Sequence, residues 1–177
     1  MKKTALILAL LLIITGSSFA QIQAGDKEVS FLGFFSTFVG ENVDANGYGS
    51  LQISYGKYYT KFFQVGIAPI VSFSTGKDDN GDPKVDVQYS GSIFFNLNMA
   101  TASKTVPYLT GRYYQYTFDI PEDKNFIDYS YITIGGGVKS FFNEYAAFNT
   151  VITYGFSPEK ESKGGIIMIM TGLSFIF

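Results

Sequence analysis

The sequence predicts an all-β fold, an eight-stranded antiparallel up-and-down β-barrel that crosses a membrane. Hydrophobic and polar side chains alternate through most of the chain beyond residue 21, as on the two faces of a strand, and no stretch there has a helical period. Clusters of Gly, Asn, Asp and Pro divide the alternation into eight segments. Most segments reach the roughly 9–11 residues that a tilted strand needs to cross a membrane, whereas soluble strands typically have about 5–6.

The eight predicted strands are joined by connections that alternate in length. The strands are Glu28–Val39, Tyr48–Tyr59, Phe62–Ser74, Val85–Met99, Val106–Phe118, Ile127–Phe142, Ala146–Phe156 and Gly165–Phe177. The short connections are Thr60-Lys61, Ala100–Thr105 and Asn143–Tyr145, and the long ones are Gly40–Gly47, Thr75–Lys84, Asp119–Phe126 and Ser157–Gly164. In membrane barrels short turns face the periplasm and long loops face outward, so both termini are expected on the periplasmic side.

The two faces of each strand differ in size, and this difference orients the barrel wall. The third strand places Phe63, Val65 and Ile67 on one face and Gln64 and Ala68 on the other. Alternation alone also fits a soluble lipocalin-like barrel, but the chain has no Trp motif and no Cys for a disulfide. The interior of an eight-stranded barrel is just wide enough for side chains to fill, so the bulky face would overfill it. The bulky face is therefore predicted to point outward into lipid.

The first twenty residues have the pattern of a secretory signal peptide. Lys2 and Lys3 precede an apolar run from Ala5 to Ile14, and Ser18-Phe19-Ala20 offers a small-residue exit before Gln21. A membrane-spanning anchor needs about 20 apolar residues, and this run is shorter. We therefore expect residues 1–20 to be removed after export by the general secretory route, and residues 21–177 to form one barrel domain.

The composition argues against several classes of function. The chain contains no Cys and no His, which removes disulfides, thiolate metal sites and the commonest general base. Its 13 basic residues are outnumbered by 15 acidic ones, which argues against binding nucleic acid. The segment from Asp78 to Asp82 resembles a calcium loop, but the sixth and twelfth positions hold Pro83 and Tyr89 instead of Gly and Glu. The sequence predicts no enzyme, no cofactor and no metal.

A few charged residues fall within strands, where their positions are informative. Arg112, the one Arg of the chain, lies mid-strand, and an outward Arg there would cost about 2–4 kcal/mol in lipid. Placing it inward, and applying the same parity elsewhere, predicts a lumenal polar network of Arg112, Lys139, Glu28 and Gln52. Glu28 and Lys139 are expected at similar heights near one end, and Arg112 nearer the middle, within reach of Gln52 or of tyrosine hydroxyls. Such a network suits either a gate for protons or ions or a structural plug, and the cost of burying charges without pairing them favours the plug.

Four inward positions are apolar. Leu32, Phe34, Ile70 and Phe94 share the parity of the polar lumenal residues, which weakens the prediction of a water-filled pore. They favour, as an alternative function, a narrow conduit or binding barrel for small hydrophobic molecules.

Three segments resemble a known family. Gly135–Ala147 combines a Gly-rich strand, a Lys, aromatic residues and a short Asn-Glu turn, and Val106–Gly111 and Gly172–Phe177 add to the pattern. In this order they resemble the small outer-membrane β-barrel family, the outer membrane protein β-barrel domain of OmpA-, OmpX- and OmpW-like proteins. The resemblance covers essentially all of Gln21–Phe177.

The resemblance implies a location, partners and an assembly signal. The location is the bacterial outer membrane, in contact with its lipids and lipopolysaccharide, and we expect a monomer. In this family the last strand closes the barrel and the barrel assembly machinery reads its aromatic end. Here that signal would consist of Phe177, Phe175 and Leu173.

Fold does not determine function in such barrels. The leading hypothesis is a non-enzymatic barrel that supports the envelope or contacts partners outside the cell. Ten of the 15 acidic residues fall in the long loops, where they suit either a basic or cation-bridged partner or simple solvation.

Overall fold

The computed structural model of the chain describes residues 22–37, 47–77, 81–99, 103–117, 120, 126–158 and 165–177. The predicted signal peptide at residues 1–20 lies outside the described residues, as do large parts of the four long connections. The signal peptide and the domain boundary therefore stay predictions. Within the described ranges, no helix is long and apolar enough to cross a membrane.

The chain folds into a closed barrel of eight strands, and each strand pairs antiparallel with its neighbour in sequence. The strands are β1 Lys27–Thr37, β2 Gly47–Tyr58, β3 Phe63–Lys77, β4 Pro83–Asn98, β5 Thr105–Gln115, β6 Ser130–Phe141, β7 Ala146–Phe156 and β8 Gly165–Ile176. This architecture confirms the predicted fold class.

The predicted ends of the first and fifth strands, Val39 and Phe118, lie outside the described residues. The other strand boundaries agree with prediction within a few residues, with one difference in kind. The bounds of β7 are those predicted, whereas β6 begins at Ser130 and not at Ile127. Residues Phe126–Tyr129 form a single 3-10 turn, and the Ser130 hydroxyl donates to the carbonyl oxygen of Ile127 at 2.8 Å. The alternating side chains of this segment suit a strand, but the hydrogen bonds hold it in a turn.

The barrel wall is apolar outside and largely polar inside. Ile67, Tyr89 and Ile93 are 57%, 69% and 59% exposed, whereas Gln64 and Ala68 on the opposite face are each 1% exposed. The predicted orientation of the wall is confirmed, and it is the reverse of a soluble barrel.

The barrel closes at a short seam between β1 and β8. Six residue pairs, Glu28–Gly33 with Thr171–Ile176, form this ladder, against eleven between β1 and β2. Two backbone hydrogen bonds extend it, since the Lys27 N–H donates to Phe177 O at 2.8 Å and the Phe177 N–H donates to Lys27 O at 2.9 Å. We call the rim where Lys27 and Phe177 lie the terminal end and the opposite rim the loop end.

Candidate functional site in the barrel lumen

An apolar cluster closes the lumen at the terminal end. Its members come from the turn before β1 and from five strands: Ile22, Tyr58, Val106, Phe141, Ala147 and Ile176. Each is at most 6% exposed. Because all but Ile22 occupy inward positions at strand ends, the strand parity itself directs them across this opening.

A buried ion pair lies directly above the apolar cluster. Lys139 Nζ lies 2.6 Å from Glu28 Oε2, and the two residues are 0% and 3% exposed. The Tyr58 hydroxyl donates to the same carboxylate oxygen at 2.5 Å and lies 2.8 Å from Lys139 Nζ. The three side chains therefore form one hydrogen-bonded unit.

Polar neighbours complete the hydrogen bonding of the Glu28 carboxylate. The Ser30 hydroxyl donates to Glu28 Oε1 at 2.8 Å, and Gln64 Nε2 donates to Glu28 Oε2 at 3.3 Å. Asn96 Nδ2 in turn donates to Gln64 Oε1 at 2.7 Å. A buried carboxylate that accepts from several donors and faces an ammonium group has the compensation that a buried charge requires. We call Glu28, Lys139, Tyr58, Ser30, Gln64 and Asn96 together the ion-pair plug.

A mainly apolar layer separates the ion-pair plug from the arginine. Leu32, Tyr108, Val151 and Met170 pack together across the lumen, with Phe34 against them. The Tyr108 ring lies 5.1 Å from Lys139 Nζ, and its hydroxyl donates to Asn149 Oδ1 at 2.8 Å.

Arg112 occupies a different environment from Lys139. Its Nη1 donates to Gln52 Oε1 at 2.6 Å, and its guanidinium carbon lies 5.5 Å from the centre of the Phe94 ring. The residue is 8% exposed. Within the described part of the chain, no carboxylate lies within ion-pair distance of it.

The four predicted polar residues thus lie inside the barrel, in two pairs. The structure brings Lys139 to Glu28 and Arg112 to Gln52. Among the described residues, no hydrogen bond joins one pair to the other. Whether either pair acts as a gate stays a prediction.

The lumen widens towards the loop end. A vestibule of about 460 Å3 is lined by four tyrosines with small and apolar residues: Tyr48, Tyr114, Tyr116, Tyr131, Thr133, Gly165, Ile166 and Met168. A narrower chamber of about 20 Å3 shares Tyr48, Tyr114, Thr133 and Met168 with the vestibule and reaches Arg112. The vestibule and the chamber therefore adjoin, and Arg112 belongs to the lining of the chamber.

The other predicted residues occupy the faces that parity assigns to them. Leu32, Ile70 and Phe94 are 2%, 4% and 4% exposed inside the barrel, and Phe34 is half-buried. Leu173 and Phe175 lie on the outer face of β8, and Phe177 follows that strand at the rim. Their reading by an assembly machinery stays a prediction.

Tyr58, Gln64 and Asn96 belong to the ion-pair plug and were not among the predicted residues. Parity contains a signal for them, because Tyr58 lies an even number of residues from the inward Gln52 on β2. The contacts of Tyr58 and Gln64 with Glu28, and of Asn96 with Gln64, depend on the register of strands β1 to β4, which parity does not specify.

No group of three or more His, Cys, Asp or Glu side chains that could hold a metal ion occurs within the described residues. That the protein needs no metal or cofactor stays a prediction from the sequence.

Comparison with known proteins adds evidence on the fold. No family model matches the sequence, and no curated protein matches it. The N-terminal β-barrel domain of Pseudomonas aeruginosa OprF aligns with a TM-score of 0.55 at 17% identity, over 87% of this chain and 98% of that one. The outer membrane protein OprG from Pseudomonas aeruginosa aligns more weakly, with a TM-score of 0.48 at 13% identity over 89% and 98% of the two chains. The OprF alignment shows that the chain shares the β-barrel fold of that domain.

Proposed function

We propose that the chain is an integral β-barrel of the bacterial outer membrane, without enzymatic activity, that supports the envelope or contacts partners outside the cell. The orientation of the wall is the observation that supports this most. Large apolar side chains such as Leu51, Ile134 and Ile152 are 51%, 55% and 52% exposed around the barrel. Monomeric soluble proteins rarely expose contiguous apolar surface on this scale, whereas lipid-facing strands require it.

The filled interior favours a barrel whose lumen is blocked at the terminal end. The ion-pair plug and the apolar cluster beneath it fill the terminal end, and the residues that form them are buried. The sequence offers no His or Cys for nucleophilic or general-base chemistry. A role carried by the loops and the wall fits these features better than catalysis in the lumen.

The proposal includes a route and partners. The signal peptide at residues 1–20 would direct export by the general secretory pathway. Barrel assembly machinery would then insert the domain at β8, among lipids and lipopolysaccharide. A monomer is consistent with a lumen completed by one chain.

Heat modifiability tests the membrane location. Outer-membrane fractions are extracted with detergent, and boiled and unboiled samples are compared on a denaturing gel. We expect the unboiled protein to migrate as a compact band that shifts on boiling, because the closed ladder resists detergent at room temperature. A mature chain that stays monomeric and soluble without detergent would contradict the proposal.

A second candidate is a narrow conduit or binding barrel for small hydrophobic molecules. The apolar layer of Leu32, Val151 and Met170 beneath a tyrosine-lined vestibule is the feature that favours it. The closed terminal end opposes passage, so binding fits better than transport. Steady conductance in planar bilayers, or a lipid-like ligand retained in the purified barrel, would favour this candidate over the first.

A further inference from the structure

We propose that the barrel binds one small monovalent anion in the chamber beside Arg112 and takes it up from the loop end. Four features of the lumen support this site: an uncompensated charge, a set of unpartnered polar atoms, the size of the chamber and the path to it.

The charge of Arg112 is buried without a counter-charge. The residue is 8% exposed, and its one direct protein hydrogen bond among the described residues goes to the neutral amide of Gln52. Lys139, nearer the terminal end, is by contrast a buried cation with a counter-charge, since Glu28 lies 2.6 Å from it. A buried ion normally acquires a partner of opposite charge, so a site of this kind attracts an anion.

Unpartnered polar atoms belong to residues that line the same chamber. Arg112 Nε, Gln52 Nε2, Thr133 Oγ1 and Thr153 Oγ1 are buried without a hydrogen-bond partner among the described residues. Gln52, Thr133 and Thr153 are 1%, 2% and 2% exposed, and all four residues line the chamber. The nitrogen atoms are donors only, and a threonine hydroxyl can donate, so the set is suited to an electron-rich ligand.

The dimensions of the chamber limit the ligand. Its volume of about 20 Å3 is small, and a cavity needs roughly 10–15 Å3 or more to hold one water molecule. A halide ion fits such a space, whereas a sugar acid or a phosphate ester does not. A water molecule would fit as well, but it would leave the positive charge of Arg112 unbalanced.

The path to the chamber leads from the loop end. Tyr48, Tyr114 and Thr133 line both the chamber and the vestibule, so the chamber adjoins the vestibule on the side from which an ion would enter. The ion-pair plug and the apolar cluster close the opposite end. The site is therefore a blind pocket and not part of a channel.

Bromide diffraction tests the site in the unmodified protein. Crystals of the detergent-solubilised barrel are soaked in sodium bromide, and anomalous data are collected at the bromine edge. We expect a peak within hydrogen-bonding reach of Arg112 and of at least one of the two threonines. Absence of a peak at that position, with water density in its place, would overturn the proposal.

A solution measurement distinguishes specific binding from a general salt effect. The folded-to-unfolded ratio is followed by heat modifiability in sodium chloride and in sodium gluconate of equal ionic strength, because gluconate is too large for the chamber. With specific binding the ratio rises by the factor 1 + [Cl⁻]/Kd, about tenfold when chloride is nine times its Kd.

Variants identify the source of the effect. Arg112→Met should abolish the chloride dependence, and the paired change Thr133→Val with Thr153→Val should weaken it while leaving the charge in place. Lys84→Met, which removes an exposed cation near the rim, should keep it. A chloride dependence that persists in Arg112→Met would refute the site. Should that variant not fold, the bromide peak in the unmodified protein and the threonine variants decide the question.

Discussion

At the scale of single residues, the lumen shows two solutions for a buried cation. Lys139 faces a carboxylate that four protein groups hydrogen-bond, whereas Arg112 faces an amide oxygen and an aromatic ring. The carboxylate of Glu28 balances the charge of Lys139. Removing only one of the two side chains therefore leaves the other charge buried without a partner.

Lys139→Met is therefore expected to lower the free energy of unfolding by about 3–5 kcal/mol, the usual cost of breaking a buried pair. The measurement is urea unfolding in detergent, followed by the fraction that keeps compact gel mobility. The double variant Glu28→Gln with Lys139→Met serves as the control and should recover part of the loss, since it strands no charge. A double variant as unstable as the sum of its two single variants would contradict this account.

The sequence predicts the inward position of these residues and the reach of Arg112 to Gln52, but not their division into two separate pairs. Parity assigns Arg112, Lys139, Glu28 and Gln52 to the lumen because a strand alternates strictly between two faces. Pairing across the barrel also depends on strand tilt and register, which no local pattern encodes. For this reason one network was predicted where the structure has two pairs, and Tyr58 was missed.

At the scale of elements, strand existence is easier to predict than strand ends. The alternation of β7 is bounded by Asn143–Tyr145 on one side and Ser157 on the other, and its limits were predicted correctly. The start of β6 was not, because Ile127 and Tyr129 have strand-like side chains but lie in a 3-10 turn. Side-chain propensity is a weak guide where local hydrogen bonds compete with the ladder.

The seam between β1 and β8 depends on a close approach at Gly172. A Cβ atom at this position would overlap the carbonyl oxygen of Phe31 and lie 2.8 Å from its carbonyl carbon. Because those atoms belong to the backbone, the neighbour cannot yield without opening the ladder.

Gly172→Val is expected to lower the free energy of unfolding by about 3 kcal/mol or to prevent closure, at or beyond the upper range for overpacking. The yield of compact barrel after refolding into detergent measures it. Gly136→Val is the matched control on β6, where the nearest atom to a new Cβ is 3.5 Å away, and it should change stability by no more than about 0.5 kcal/mol. Equal losses in both variants would show that the seam has no special packing.

At the scale of the whole molecule, the main feature is the orientation of the barrel wall, with apolar side chains outside and polar ones inside. The polar and small residues fill the interior, and the outer surface carries Ile, Leu, Val and aromatic side chains. The sequence predicts this arrangement, because bulky residues from eight strands cannot share so narrow a lumen.

A charge on the outer wall should have a cost that depends on height. Ile134→Arg, near the middle of β6, is expected to lower the free energy of unfolding in lipid vesicles by about 2–4 kcal/mol, because its guanidinium would enter hydrocarbon. Val85→Arg, near the loop end of β4, should cost about 0–1 kcal/mol. Guanidinium unfolding followed by tyrosine fluorescence measures both, and equal costs would contradict immersion of the wall in lipid.

The reciprocal hydrogen bonds between Lys27 and Phe177 have a practical consequence for engineering. They hold the two outermost strands side by side, so a linker of a few residues suffices to join them. Cutting the tight turn between Tyr58 and Phe63 would then create a circular permutant with every ladder intact. In such a permutant β3 would be the first strand and β2 the last. The β1–β8 seam would then lie between two strands in the middle of the chain, and the barrel would close between β2 and β3.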